Sequence, residues 1–369
     1  MRVLIDGMPR TMGGIGSLVM NLMRYSKRAG DEKSFSFDFI VPVGSHYISE
    51  LKENGYSYHV SPPLNQLFAY CGFLKALFHE NTYDYLWFNN TSKVNLLLPL
   101  YAKKHGAKLI THPHGVDIEE TGFKRAVFKF LDAVNRKKMF SLIDVPFACS
   151  EEAADIYYRG NDSLRRQTTI IRNGIDSARF SYSEEARKRI RDELFLAKED
   201  ILLGAVGRLT AVKNYPFLIR LLERLDIRYT LIIIGIGEEQ AALQQLIEEK
   251  GLNDRCQLLG PRSNVSEYLS AMDIFFLPSF HEGLPFSIVE AQCTGLPCLV
   301  SASLSRRIEI TDLVSFLPLD DFDAWHDAIL KVQRKTDRKA YSDVVRTAGY
   351  DIGASYEVLR RILLGEGRS

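Results

Sequence analysis

Twice along the chain a short apolar run ends directly in a glycine and gives way to a helix-like stretch, at Val3-Leu4-Ile5-Asp6-Gly7 and again at Leu202-Leu203-Gly204-Ala205-Val206-Gly207. After each, further apolar runs of strand length alternate with longer amphipathic segments. The first series continues with Phe37 to Val41, Tyr85 to Phe88, Lys108 to Thr111 and Val145 to Cys149, the second with Tyr229 to Ile234, Cys256 to Leu259, Ile274 to Leu277 and Pro297 to Val300. That rhythm implies parallel sheets with helices on both faces. The charge-rich, helix-like segment Tyr182 to Asp200 separates the two series. The expectation is an α/β chain of two doubly wound Rossmann-like domains, residues 1–175 and 176–349, with ligand bound in a cleft between them. A length of 369 residues suits two domains.

Composition removes several alternatives. Lys and Arg number 47 against 46 Asp and Glu, a formal charge of +1, so no global field recruits nucleic acid and none is expected as a partner. The five cysteines are scattered without a C-x-x-C, which argues against a disulfide framework or a zinc site and for a reducing cytoplasm. The N-terminal run lacks the parts of a secretory signal, and no stretch of 18 apolar residues occurs, so the chain is not expected to span a membrane.

Three motifs carry chemistry. Met12-Gly13-Gly14-Ile15-Gly16-Ser17 follows the first strand and precedes the helical stretch Leu18 to Arg28; Gly14 and Gly16 would let the backbone approach a ligand, or simply make a tight turn. The motif is not the G-x-G-x-x-G of dinucleotide binding. In the turn after the first strand of the second series, Gly207-Arg208-Leu209-Thr210-Ala211-Val212-Lys213-Asn214, two cations five residues apart can reach the same phosphates, Arg208 as a planar fork and Lys213 as a point charge. The third, His281-Glu282-Gly283-Leu284-Pro285-Phe286-Ser287-Ile288-Val289-Glu290, puts Glu282 on a loop and Pro285 where it can open a helix. The N–H groups near Phe286 to Ile288 would then form an anion site, with Glu290 about one turn in and able to lean back toward it. A phosphate flanked by two carboxylates points to a nucleotide-sugar; each Glu read alone is an ordinary solvated charge.

Glu282 and Glu290 within E-G-L-P-F-S-I-V-E-A resemble the E-x7-E motif of the retaining family 4 glycosyltransferases, which have the two-domain GT-B fold. The neighbours G-R-L-x-x-x-K-N, Gly235-Ile236-Gly237, the stretch from Gly260 through Leu277, Gly295-Leu296-Pro297 and the N-terminal G-G-x-G match in order and spacing over nearly the whole chain. The resemblance implies sugar transfer from a nucleotide-diphosphate donor with retention and without a metal or other cofactor. It further implies that Arg208 and Lys213 neutralise the leaving diphosphate, that Glu282 contacts the donor sugar and that Glu290 contacts the ribose. Backbone at Arg262 and Ser263 would meet the base, and main chain at Gly207 and from Gly283 through Leu284, Pro285, Phe286 and Ser287 would complete the cradle, with Gly14 and Gly16 also on the donor. A front-face displacement, in which the leaving phosphate helps to deprotonate the acceptor, is part of the same inheritance. The first domain would bind the acceptor, and the helical stretch 350–369 would cross back onto it.

In Thr111-His112-Pro113-His114-Gly115 an H-x-H pair without a nearby third ligand argues against metal. The family places a histidine after this strand near the donor sugar, and His114 fits better than His112; a structural histidine is the alternative. Residues 122–144 carry Lys124, Arg125, Lys129, Arg136, Lys137 and Lys138 against Asp132 and Asp144, interleaved with Phe123, Phe128, Phe130, Leu131 and Phe140. Such a segment either docks on anionic lipid or is an ordinary helix burying one face; family members with lipid-linked acceptors dock through the first domain. Glu309 to Val314 and Leu317 to Trp325 are similar to the bacterial exopolysaccharide and capsule branch. The resulting expectation is a cytoplasmic, peripherally membrane-bound transferase that moves a hexose or N-acetylhexosamine, with UDP favoured over GDP, to a polyprenyl-linked saccharide. A sugar-nucleotide epimerase and a non-catalytic nucleotide-sugar-binding partner are the alternatives.

Overall fold

The structure, a computed structural model, describes residues 1–10, 14–90, 92–114, 122–333 and 337–366, with the side chains of 122–125 outside the description. It divides into two compact units, Met1–Asn173 with Ile352–Ser369, and Gly174–Asp351.

The first unit holds a parallel sheet of seven strands in the order β3-β2-β1-β4-β5-β6-β7: β1 Arg2–Asp6, β2 Ser36–Pro42, β3 Ser57–Ser61, β4 Tyr85–Phe88, β5 Lys108–Thr111, β6 Ile143–Ala148 and β7 Thr169–Ile170. Its helices are α1 Gly14–Arg28, α2 Tyr47–Glu53, α3 Leu67–Glu80, α4 Leu97–Lys104, α5 Gly122–Leu142, α6 Glu151–Tyr157 and α7 Asp162–Gln167. β1 pairs with β2 on one side and β4 on the other, so the strand order reverses at β1/β4. In open α/β sheets the crevice outside the carboxyl ends of the strands at such a reversal is where ligands bind.

The second unit repeats the plan with six parallel strands in the order β10-β9-β8-β11-β12-β13, and its reversal lies at β8/β11: β8 Ile201–Val206, β9 Tyr229–Ile234, β10 Cys256–Gly260, β11 Ile274–Leu277, β12 Cys298–Ser301 and β13 Val314–Leu317. The helices are α8 Glu184–Glu193, α9 Tyr215–Glu223, α10 Gln240–Glu249, α11 Val265–Ala271, α12 Phe286–Cys293, α13 Phe322–Lys331 and α14 Ala340–Val345. The strands alternate between two cores: Leu202, Ile232, Phe275 and Val300 join one apolar cluster, while Leu203, Ile233, Phe276 and Leu299 join the other. A sheet covered on both faces needs such unbroken apolar runs.

α8 is shorter than the segment Tyr182 to Asp200. Ser183 caps its start by accepting from the Ala186 N–H, with Glu184 and Glu185 in the first turn. It ends because Phe195 takes a left-handed φ of 54° and the Arg191 guanidinium turns to the carbonyls of Ala197 and Asp200. The last helix, α15 Ile352–Leu363, packs on α1 in the first unit. There the Tyr356 hydroxyl lies 2.9 Å from both Ser26 Oγ and Asp31 Oδ2, and Arg360 lies 3.1 Å from the same carboxylate.

Candidate active site

The reversal point of the second unit is built from two loops that lace together. After β8 the chain turns at Gly207, and the short 3-10 turn Ala211–Lys213 leads to Asn214, whose left-handed φ of 52° starts α9. Asn is among the few residues that take this conformation at little cost. The Phe280 N–H donates to the Val212 carbonyl at 2.9 Å and Asn214 Nδ2 to the Pro278 carbonyl at 3.3 Å, binding this loop to the one after β11. The result brings Lys213 Nζ to 2.6 Å from Glu282 Oε1, both side chains largely buried. Arg208 is exposed in the same turn and has no ion partner among the described residues.

The Lys213–Glu282 contact is an ion contact without hydrogen-bond geometry. Glu282 Oε1, the Tyr215 hydroxyl and Ser279 Oγ are all buried polar atoms without a hydrogen-bond partner. Native structures leave few such groups, and three beside one reversal point mark where a polar ligand would satisfy them. Tyr215 and Ser279 were not among the sequence candidates. Tyr215 reads as an apolar helix residue, yet its hydroxyl would lie 2.8 Å from a Cβ at Gly207, and burial together with the Glu282 charge raises its pKa.

α12 begins one residue later than expected: Pro285 is its N-cap, in extended conformation, not its first helical residue. Of the first N–H groups of the helix, those of Phe286 and Ser287 precede any intrahelical acceptor, while that of Ile288 donates to the Pro285 carbonyl at 3.3 Å. Gly283 is exposed, Leu284, Pro285 and Phe286 are half-buried and Ser287 is buried. Arg262 and Ser263 are exposed on the loop after β10, where Arg179, another residue absent from the sequence candidates, donates to the Ser263 carbonyl. Glu290 is half-buried, and its pKa is pushed up to about 7 by burial, opposed by the Arg179 charge.

Because the folded chain holds the Glu290 proton more tightly than the unfolded one, its contribution to stability is largest below the ordinary carboxylate range and is lost as pH rises through about 7. Glu290→Gln should therefore raise the melting temperature at pH 8, by about 2–6 °C for a gain of roughly 1–2 kcal/mol, and leave it unchanged at pH 4.5. A melting curve at each pH checks this; a lower Tm at pH 8 would contradict it.

At the reversal point of the first unit, Gly14 is the exposed first residue of α1, and Gly16 is buried against Tyr47, where a Cβ would lie 2.3 Å from the ring. Gly16 is thus needed for helix packing; Met12 and Gly13 lie outside the described residues. His114 Nε2 lies 3.0 Å from Asn89 Oδ1, and Asn89 Nδ2 donates to the Asp6 and Trp87 carbonyls, which fixes the amide and makes Nε2 the protonated nitrogen. The other side of the ring is buried, with the Asn173 side chain as a neighbour, and burial lowers the His114 pKa to about 4, opposed by Asn173, so the ring is neutral near pH 7. His112 packs on it at 4.1 Å and its Nε2 lies 3.3 Å from the Ile171 carbonyl oxygen. Gly115 lies outside the described residues, among which no three His, Cys, Asp or Glu side chains cluster as metal ligands would.

In α5, Met139 and Leu142 enter the core, while Val127, Phe130, Leu131 and Val134 form an exposed apolar stripe beside exposed Lys129, Lys137 and Lys138. Asp132 turns inward to buried Lys93, which sits 3.8 Å from the Tyr157 ring centroid, and Arg136 turns to the same Asp132. The side chains of Phe123, Lys124 and Arg125 lie outside the described residues. Among the described residues no helix is long and apolar enough to cross a membrane.

Residues 186–346 match the family model for Glycosyl transferases group 1. The chain is 25% identical over 366 residues to the putative glycosyltransferase EpsF of Bacillus subtilis, covering 94% of this chain and 92% of that one. It is 28% identical over 301 residues to the Escherichia coli UDP-Gal:alpha-D-GlcNAc-diphosphoundecaprenol alpha-1,3-galactosyltransferase, covering 78% and 76%. Among solved structures, Anabaena HepE in complex with UDP superposes with a TM-score of 0.74 at 18% identity, over 99% of this chain and all 100% of that one. WaaG, a glycosyltransferase involved in lipopolysaccharide biosynthesis, superposes at 0.66 and 15%, over 99% and 100%. The second unit thus carries a Glycosyl transferases group 1 domain, and the chain is a glycosyltransferase built of two Rossmann-like domains that match GT-B structures.

Proposed function

We propose that this chain is a retaining, metal-independent glycosyltransferase that moves a hexose or N-acetylhexosamine from a UDP-sugar to a polyprenyl-diphosphate-linked saccharide. It would do so at the inner face of the cell membrane, in the assembly of a bacterial exopolysaccharide or capsule. The observation that carries this reading is the Lys213–Glu282 pair at the β8/β11 reversal, inside the group 1 domain. A cation and a carboxylate side by side suit a diphosphate leaving group next to sugar hydroxyls. The E. coli relative is named for a UDP-Gal donor and a diphosphoundecaprenol-linked acceptor, and HepE was crystallised with UDP, which favours the same pair of substrate classes.

In the reaction the anomeric C–O bond to the diphosphate breaks, a new C–O bond forms to the acceptor hydroxyl on the same face, and the hydroxyl proton passes to the leaving phosphate. Arg208 and Lys213 offset the negative charge that grows on that phosphate, with the first N–H groups of α12 adding to it. Glu282 holds hydroxyls of the transferred sugar, Glu290 those of the ribose, and the backbone at Arg262 and Ser263 the base. Neutral His114 is a hydrogen-bonding group for the sugar, not an acid.

The α5 stripe supports the membrane part. Exposed Phe130 and Val134 flanked by Lys129, Lys137 and Lys138 suit an anionic bilayer, at about 1 kcal/mol per basic residue near the surface plus the apolar area buried. The combined test is transfer of labelled sugar from a UDP-hexose panel to undecaprenyl-diphosphate-linked saccharides in phosphatidylglycerol vesicles. Phe130→Asp with Val134→Asp should lower vesicle binding and transfer about tenfold at unchanged Tm. Undiminished vesicle binding would remove the docking surface; absence of transfer to any lipid would remove the acceptor class.

A further inference from the structure

Several buried tyrosine hydroxyls have evident partners. Tyr158 donates to the Phe147 carbonyl at 2.8 Å, Tyr83 donates to Asp38 Oδ2 at 3.0 Å, and the Tyr356 hydroxyl lies 2.9 Å from Asp31 Oδ2. Tyr215, 1% exposed, differs: its hydroxyl is buried and has no hydrogen-bond partner. A phenylalanine would fill the same apolar surroundings, which include Phe217, Leu218 and Leu221, without stranding a polar group. A use for the hydroxyl has to be sought in a state other than the empty site.

Tyr215 opens α9 directly after the left-handed Asn214, and a side chain at a helix start leans back over the preceding turn. The Gly207 backbone lies on that side: a Cβ there would meet the Tyr215 hydroxyl at 2.8 Å, Lys213 Cε at 3.2 Å and Lys213 Nζ at 3.4 Å. Hydroxyl and ammonium thus close on one point of the main chain. Nζ is itself 2.6 Å from Glu282 Oε1, which also lacks a hydrogen-bond partner. Burial, followed by the Glu282 charge, raises the Tyr215 pKa, so the hydroxyl keeps its proton near neutral pH. A donor without an acceptor and a carboxylate oxygen without a donor therefore stand beside the same lysine.

Among the described residues Lys213 is the cation in contact with Glu282. A diphosphate at Lys213 draws on that same ammonium, and a largely buried carboxylate left with less compensation needs a donor. We propose that Tyr215 is a positioning residue for the transferred sugar: with the diphosphate bound, its hydroxyl donates to Glu282 Oε1 and fixes the carboxylate, which leaves Oε2 to accept from a sugar hydroxyl. The role rests on the proposed reading of the donor site. Being neutral, the hydroxyl orients Glu282 without cancelling its charge, as a second ammonium would.

Titration calorimetry on the full chain, with UDP and with a panel of UDP-hexoses and UDP-N-acetylhexosamines, tests this. Tyr215→Phe should bind UDP as the wild type does and the preferred UDP-sugar about tenfold more weakly, the scale of one hydrogen bond to a charged group. A tyrosine that only fills space would change neither affinity. Without ligand, Tyr215→Phe should melt no lower than wild type, because it removes a buried hydroxyl that has no partner. Tyr157→Phe in α6 is the control: that hydroxyl is also buried without a hydrogen-bond partner, and its loss should leave both affinities unchanged. Equal UDP-sugar affinity in Tyr215→Phe and wild type, an equal loss of UDP and UDP-sugar binding, or a Tm several degrees lower without ligand would each overturn the role. A wild type that bound neither UDP nor any UDP-sugar would remove the donor reading, and the role with it.

Discussion

Lys213→Ala is expected to abolish sugar transfer, with kcat down roughly 10²–10³-fold or more, the scale seen when one preorganised group aimed at developing charge is removed. Lys213 is held beside Glu282 by hydrogen bonds between two loops, not by its own side-chain packing alone. The cation is therefore in place before the diphosphate arrives, and little reorganisation is left to the reaction. Glu282→Gln should have a comparable effect on transfer. The two changes should not add, because each leaves the other group facing an altered partner. Lys213→Ala also strands a largely buried carboxylate next to the unpartnered Tyr215 hydroxyl, so a loss of about 1–3 kcal/mol in stability should accompany the loss of activity. Steady-state rates and melting curves on the two single variants and the double variant measure both effects. Additive losses in transfer would mean that the residues act separately.

Gly235→Ala is expected to be the most damaging single methyl in the second unit. Gly235 follows β9 with φ 149°, and a Cβ there would sit 1.9 Å from the Gly207 carbonyl oxygen. That contact is backbone against backbone, so no side chain can swing away. The methyl must push apart β8 and β9 at the turn that carries Arg208 and leads to Lys213. The conformation itself is also strained for any residue with a Cβ. Loss of UDP-sugar binding with a destabilisation of at least 3 kcal/mol should result, read by calorimetry and ligand titration. Gly72→Ala in α3 is the control, since nothing lies within 4 Å of a Cβ at that position. Wild-type binding by Gly235→Ala would show that the two turns are not in the contact described.

These two positions also show what was legible in the sequence. The central strands stood out because a doubly covered parallel strand must be apolar on both faces, as Tyr229–Ile234 and Ile274–Leu277 are. β3, Ser-Tyr-His-Val-Ser, lies at a sheet edge, is half-exposed and carries no apolar run; β7 has only two residues, and neither was visible. The glycine turns and the acidic loop could be read as motifs, but the contact between Lys213 and Glu282 depends on Asn214 and Val212 reaching the loop after β11, which no spacing reveals. Tyr215 has the spacing of a core aromatic, and its significance is in what its hydroxyl lacks, a hydrogen-bond partner, which only the folded surroundings show. In the basic segment the pairing of Asp132 with buried Lys93 and with Arg136 was likewise out of reach of the sequence, since Lys93 lies on a different stretch of the chain.

The most direct test of the nucleotide-sugar site is a thermal-shift titration of UDP- and GDP-sugars against wild-type protein and Lys213→Ala in parallel. A cognate donor at 100 times its Kd should stabilise the wild type by about 2.7 kcal/mol, with UDP-sugars the effective class, and the same concentration should leave Lys213→Ala close to its unliganded melting point. No shift with any nucleotide-sugar, or an equal shift in both proteins, would contradict the assignment of the Lys213–Glu282 pair as the place where the donor diphosphate binds.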